Sequence, residues 1–193
     1  ACARDVESLG ELFSTQTVNE LRSLDLSKRN GPTELSPVAG LCQLQALNLN
    51  GCSSLTDLSV IATMCELVSL SVEGCAALSD ISALSSLRKL LYLDLSWCEE
   101  LRDLSSISEG TSLQSLKMDG LRLSDGITPL SNLVGLRYLS IRRSEGLGDI
   151  SPIAGMSGLL SLSLDGCGAL LDISPIKALA SLKRFFTIRS SRE

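Results

Sequence analysis

The sequence predicts an α/β repeat solenoid: a curved parallel β-sheet on the concave side and short 3₁₀ or α-helical turns on the convex side. Three observations lead there. An L-x-x-L-x-L unit starts at Leu21, Leu44, Leu67, Leu90, Leu113, Leu136, Leu159 and Leu182, and every step is 23 residues. Hydrophobic residues make up 44% of the 193 residues and aromatics only 3%, so the core repeats one aliphatic shape instead of fitting mixed ones together. Finally, a 23-residue unit is too short for a full strand–helix–strand crossover, so each unit must be one turn of a coil with its strand beside the previous one.

Each part of the unit keeps the beat. The second leucine position reads Leu24, Leu47, Leu70, Leu93, Leu116, Leu139, Leu162 and Phe185, followed two residues on by Leu26, Leu49, Val72, Leu95, Met118, Ile141 and Leu164. This alternation is a short strand with one buried face. The return path carries Leu35, Leu58, Ile81, Leu104, Ile127, Ile150 and Ile173, and three residues later Val38, Ile61, Leu84, Ile107, Leu130, Ile153 and Ile176. In Asp149-Ile150-Ser151-Pro152 and Asp172-Ile173-Ser174-Pro175, a serine N-cap followed by proline at the first helical position is expected to start a short helix. Asp57, Asp80, Asp103, Asp149 and Asp172 form a column, with Asp125 displaced by one residue. They are read as acceptors for backbone N–H groups in the turn before that helix.

The pattern resembles the leucine-rich repeat, whose consensus L-x-x-L-x-L-x-x-(N/C)-x-L is matched by Leu44-Gln45-Ala46-Leu47-Asn48-Leu49-Asn50-Gly51-Cys52-Ser53-Ser54-Leu55. The resemblance covers Leu21 to Leu182. The D-I-S-P return is similar to that of bacterial internalins, and the Gly51-Cys52, Gly74-Cys75 and Gly166-Cys167 turns are similar to the cysteine-type repeats of plant and protozoan proteins. Residues 1–20 are expected to be a degenerate N-terminal part-repeat with Leu9, Leu12 and Val18 near core positions, residues 21–181 seven full repeats, and residues 182–193 an incomplete last one. Together they read as one domain. Solenoids need polar caps and neither end reads as one, so a fragment of a longer protein is expected.

Charge and inventory narrow the function. With a net charge of −5, the chain lacks the basic surplus that nucleic-acid binding draws on. No apolar run suggests membrane insertion. The absence of histidine removes the usual general base and commonest metal ligand. No G-x-S-x-G elbow, phosphate loop or C-x-x-C pair occurs, so no enzyme activity, metal or cofactor is expected. Cys52, Cys75, Cys98 and Cys167 recur just after the strand and are read as a ladder of buried thiols; Cys42 and Cys65 form a second, smaller ladder at the end of the return segment, and Cys2 is the seventh cysteine. The odd count, the poor disulfide geometry of stacked side chains and the absence of an N-x-S/T sequon point to an intracellular, cytoplasmic protein.

The outward strand positions form three columns on the concave face. They read Ser23, Ala46, Ser69, Tyr92, Ser115, Tyr138, Ser161, Arg184; then Asp25, Asn48, Ser71, Asp94, Lys117, Ser140, Ser163, Phe186; then Ser27, Asn50, Glu73, Ser96, Asp119, Arg142, Asp165. Most are small and polar. The exceptions gather at Tyr92, Asp94, Lys117, Asp119, Tyr138 and Arg142, with Trp97 and Arg143 just past their strands, and binding hot spots favour Trp, Tyr and Arg. The pattern also breaks nearby: Leu121 and Ser144 stand in place of cysteine, Gly110 in place of a core leucine, and Leu123 and Asp125 are shifted one place. The expectation is a protein–protein interaction module that binds a protein or peptide on this face. The alternative, implied by families with similar cysteine-type repeats, is the substrate-targeting or regulatory arm of a larger enzyme or signalling protein, of the ubiquitin-ligase, cyclase-regulator or immune-receptor type.

Overall fold

The structure is a computed structural model and describes residues 20–28 and 35–187. The expected part-repeat, Cys2 and the end of the last unit therefore lie largely outside the described residues. Eight three-residue strands lie in chain order in one parallel sheet: β1 (Ser23–Asp25), β2 (Ala46–Asn48), β3 (Ser69–Ser71), β4 (Tyr92–Asp94), β5 (Ser115–Lys117), β6 (Tyr138–Ser140), β7 (Ser161–Ser163) and β8 (Arg184–Phe186). Their register follows the repeat: Leu24 pairs with Leu47, Leu47 with Leu70, and so on to Leu162 with Phe185. Each strand therefore places like positions side by side, about 4.8 Å apart.

Among the described residues the return segments form seven 3₁₀ turns, from Ser36–Val38 through Ser59–Thr63, Ser82–Ser86, Ser105–Glu109, Thr128–Asn132 and Ser151–Gly155 to Ser174–Ala178. The expected serine N-cap is corrected here. Ile150 and Ile173 occupy the cap positions without a side-chain bond, while Ser151 and Ser174 are already the first helical residues. The capping acceptor is the aspartate one residue earlier. Asp57, Asp80, Asp103, Asp149 and Asp172 accept the N–H of Ser59, Ser82, Ser105, Ser151 and Ser174 at 2.7–3.0 Å. A carboxylate reaching two residues forward closes an Asx turn that a shorter serine side chain at the cap would leave open. Displaced Asp125 sits before Gly126, whose φ of +80° absorbs the one-residue shift in a conformation that a side chain would resist.

The core is one continuous column cluster. Leu90, Leu93, Leu95, Cys98, Leu101, Leu104 and Ile107 of the fourth unit are all buried, and the neighbouring units repeat the set. At Gly110 the missing side chain is covered by Leu113, whose Cδ1 would lie 3.0 Å from an added Cβ. Phe185 departs from its predicted core position: it is exposed on β8, the last described strand, as is Ile173 on the return before it. The cysteine ladder is buried, and its thiols donate to carbonyls of the preceding rung: Cys52 to Leu26, Cys75 to Leu49, Cys98 to Val72 and Cys167 to Ile141, at 2.8–3.4 Å. Ser144, standing in place of cysteine, donates the same bond to the Met118 carbonyl at 3.1 Å.

Two outcomes are expected. Leu116→Ala should destabilise by about 2–5 kcal/mol in a urea titration, and hydrogen exchange should place the loss in the rungs around β5, since each rung touches only its neighbours. The Ser105, Ser151 and Ser174 backbone N–H groups, then their hydroxyls, hold the Asp103, Asp149 and Asp172 carboxyls below the ordinary 3.8, and at Asp57 the Ser59 hydroxyl leads. A lowered native pKa stabilises above the unfolded value and the benefit disappears as pH falls through the native one. The melting temperature should therefore drop on acidification below about pH 4, and Asp149→Asn with Asp172→Asn should flatten that drop.

Candidate functional site

The concave face brings the sequence-selected side chains onto three adjacent rungs. Tyr92 pairs with Ser115 and Ser115 with Tyr138, so the two tyrosines flank a serine. The rings stand about 10 Å apart at their bases. Both are half-exposed, at 48% and 50%. In the next column Asp94 pairs with Lys117 and Lys117 with Ser140. The Lys117 ammonium lies 3.3 Å from the Asp94 carboxylate, while the other Asp94 oxygen accepts the Ser96 N–H at 3.0 Å.

Two members of the third column depart from their expected outward character. Ser96 and Asp119 are buried, with Asp119 only 6% exposed, so neither is a surface contact. Asp119 organises its surroundings instead. Its N–H donates to the Ser96 hydroxyl, and its carboxylate accepts the Ser140 hydroxyl at 2.6 Å, the Arg142 N–H at 2.8 Å and the Arg142 Nε at 3.0 Å. Three donors, one of them the charged Arg142 guanidinium, compensate a carboxylate out of water, as such a group requires. Three rungs earlier, Asn50 does the same neutral job: its Oδ1 accepts the Ser71 hydroxyl at 2.6 Å and the Glu73 N–H at 2.9 Å. The charge on Asp119 adds one thing, the clamp on Arg142, whose side chain stays 54% exposed.

Just beyond the strands runs a column with left-handed backbone: Lys28, Gly51, Gly74, Trp97, Gly120, Arg143 and Gly166 all have φ between +52° and +76°. Their N–H groups carry the ladder on; that of Trp97 donates to the Asp119 carbonyl and that of Arg143 to the Asp165 carbonyl, both at 2.7 Å. Glycine adopts this conformation freely, whereas a bulky residue there costs about 1–2 kcal/mol. Trp97 and Arg143 thus occupy strained positions one rung on either side of Gly120. The strain is accommodated across rungs. A Cβ on Gly120 would lie 2.2 Å from the Trp97 ring, and one on Gly166 would lie 3.1 Å from Arg143 Cγ. Each bulky side chain leans over the glycine of the next rung, and Trp97 stays 41% exposed.

This coupling was legible but missed. Gly-Cys is the repeat's turn at Gly51-Cys52 and Gly74-Cys75, and Trp97-Cys98 stands in the same frame, so the tryptophan occupies a glycine slot. For nucleophilic chemistry the ladder is unsuited: burial pushes the Cys75 thiol up to about 11 and the Cys98 thiol up to about 12, so both are protonated at neutral pH. Among the described residues no group of three or more His, Cys, Asp or Glu side chains is placed to hold a metal ion, and no helix is long and apolar enough to cross a membrane.

No family model matches the chain, and no curated protein does. Solved structures do. An internalin, InlF, from Listeria monocytogenes superposes with a TM-score of 0.79 at 28% identity, covering 94% of this chain and 54% of its own. Internalin C2 of the same organism gives 0.82 at 26% identity, over 97% of this chain and 77% of its own. The functional domain of Listeria InlJ, which includes a cysteine ladder, shares the fold alone, at 0.58 and 17% identity over 91% and 42% of the two chains. The chain thus spans about half the length of InlF.

The Trp97–Gly120 contact has a measurable consequence. Gly120→Ala is expected to destabilise by about 2–3 kcal/mol, because the added methyl meets the indole as well as the left-handed backbone. On a Trp97→Gly background the same change should cost only about 1 kcal/mol, the backbone part. Equal costs in the two backgrounds, by chemical denaturation, would show that the ring does not rest on Gly120.

Proposed function

We propose that this chain, which has the leucine-rich-repeat fold, is a binding module that takes a protein or peptide on its concave face, centred on β4 to β6. The observation that carries this reading is the retention of Trp97 and Arg143 on rungs flanking Gly120, two of the three non-glycine residues in the left-handed column, the third being Lys28 beside β1. Backbone strain of this kind is kept where surrounding structure and function require it. The neighbours on the same face are the residue types that dominate binding energy: Tyr92, Tyr138 and Arg142, the last pre-oriented by Asp119. Rigid aromatic and arginine anchors lose little conformational freedom on binding, which favours affinity. Lys117 serves the rim of the patch and Asp94 orients it.

The likeness to internalins supports a binding role in general terms. The protonated thiols and missing histidine support a role without catalysis of its own. We place the protein inside the cell, a reading supported by six described cysteines that are all free of disulfides. Titrating sulfhydryls in protein purified without reductant checks this point, and mostly oxidised cysteines would reverse it.

The test is to recover the partner by affinity capture and titrate it calorimetrically. Tyr92→Ala, Trp97→Ala and Tyr138→Ala should each weaken binding by about 1–2 kcal/mol or more, with the circular dichroism spectrum unchanged. Unaltered affinity in all three variants would remove the central patch from the interface.

A further inference from the structure

We infer that the patch at β4 to β6 takes an acidic polypeptide segment, held between the Lys117, Arg142 and Arg143 cations and the Trp97 and Tyr138 rings. This rests on the concave-face reading above and adds the chemistry of the partner.

The first argument is charge distribution. The whole chain is acidic, with 22 Asp and Glu against 17 Lys and Arg. The concave side from β5 to β8 reverses this. Lys117, Arg137, Arg142, Arg143, Lys183 and Arg184 are exposed on the strands or directly beside them. The carboxylates facing them are Asp94 of β4, which pairs with Lys117 at 3.3 Å, buried Asp119, which pairs with Arg142, and half-buried Asp165, so the six cations outnumber three carboxylates. A cationic strip on an otherwise anionic body attracts an acidic segment locally and orients it, because the rest of the surface repels it.

The second argument is geometry. Asp119 engages only the Nε of Arg142, so the two terminal amino groups of a largely exposed guanidinium remain as a fork that matches a carboxylate. The clamp holds that fork in place before a ligand arrives, and the Lys117 ammonium, 58% exposed, sits one rung away. The third is the aromatic pair. Trp97 on Gly120 and Tyr138 on β6 offer apolar faces beside these cations, which suits acidic residues interspersed with aromatic or aliphatic ones. Nucleic acid shares the negative charge, but its dense phosphates would meet the acidic remainder of the molecule, and the strip is too short to offset that.

Trp97 is the sole tryptophan, so its emission reports on the patch alone. The full chain is titrated with a random glutamate–tyrosine copolymer, a lysine–tyrosine copolymer and a single-stranded oligonucleotide, with tryptophan excited selectively. The glutamate–tyrosine copolymer should change Trp97 emission saturably, and added salt should weaken the effect as exposed charges are screened. Lys117→Gln combined with Arg143→Gln should weaken it about tenfold or more, with the circular dichroism spectrum unchanged. Arg88→Glu, which reverses one charge on the return segment where Arg88 pairs with Glu109, should leave it nearly unchanged. Equal or stronger binding of the lysine copolymer, or tighter binding of the oligonucleotide, overturns the acidic preference while leaving the concave surface as a binding face. No response to any probe, or a loss with Arg88→Glu as large as with the paired variant, also overturns it. The reading of the face as an interface is decided separately, by the captured partner.

Discussion

The constraint on which the rest depends is in-register parallel pairing at an offset of 23 residues. Strands of three residues have few backbone bonds of their own, so each is held by the strand on either side and by the leucines beneath it. Identical offsets turn a linear sequence into columns: leucine on leucine inside, hydroxyl and amide on the concave face, aspartate at each turn. A column is stable only if each member tolerates the one above. Side chains are thus selected in pairs across rungs rather than singly.

That pairing explains the departures from the repeat better than position-by-position drift does. A tryptophan is possible in the left-handed column because the next member is Gly120, and an arginine because the next is Gly166. Serine can replace cysteine at Ser144 because what the position needs is a donor to the carbonyl of the previous rung, and a hydroxyl supplies it. Aspartate can replace the asparagine-type acceptor at Asp119 because Arg142 stands on the following rung to balance the charge. In each case the irregular residue is matched by its neighbour along the stack, and these matched irregularities concentrate between β4 and β7, around the aromatic patch.

The same one-dimensional logic connects stability with recognition. Core energy is spread evenly over the rungs, so no rung is individually indispensable for the sheet to form on either side of it. Strain and polar burial can therefore be concentrated on a few central rungs while regular neighbours support them. A surface made this way is rigid where it matters: the Arg142 guanidinium is fixed by a buried carboxylate and the Trp97 indole by the backbone beneath it, which limits the ordering needed when a partner arrives.

The sequence by itself determined the solenoid, its strand positions, the parallel order, the buried thiol ladder and the aspartate turns. All follow from periodicity, and periodicity is visible in one dimension. It also located Tyr92, Tyr138, Trp97 and Arg142 on or beside one face, because alternation in a strand assigns sides. Only the tertiary structure decided that Ser96 and Asp119 turn inward and that Trp97 rests on Gly120. Those outcomes depend on contacts between residues 21 to 26 positions apart, where backbone tilt and side-chain size choose between facing water and bonding the next rung. An alternating pattern specifies which side of the strand a residue leaves from, but the neighbour one coil away specifies where its side chain ends.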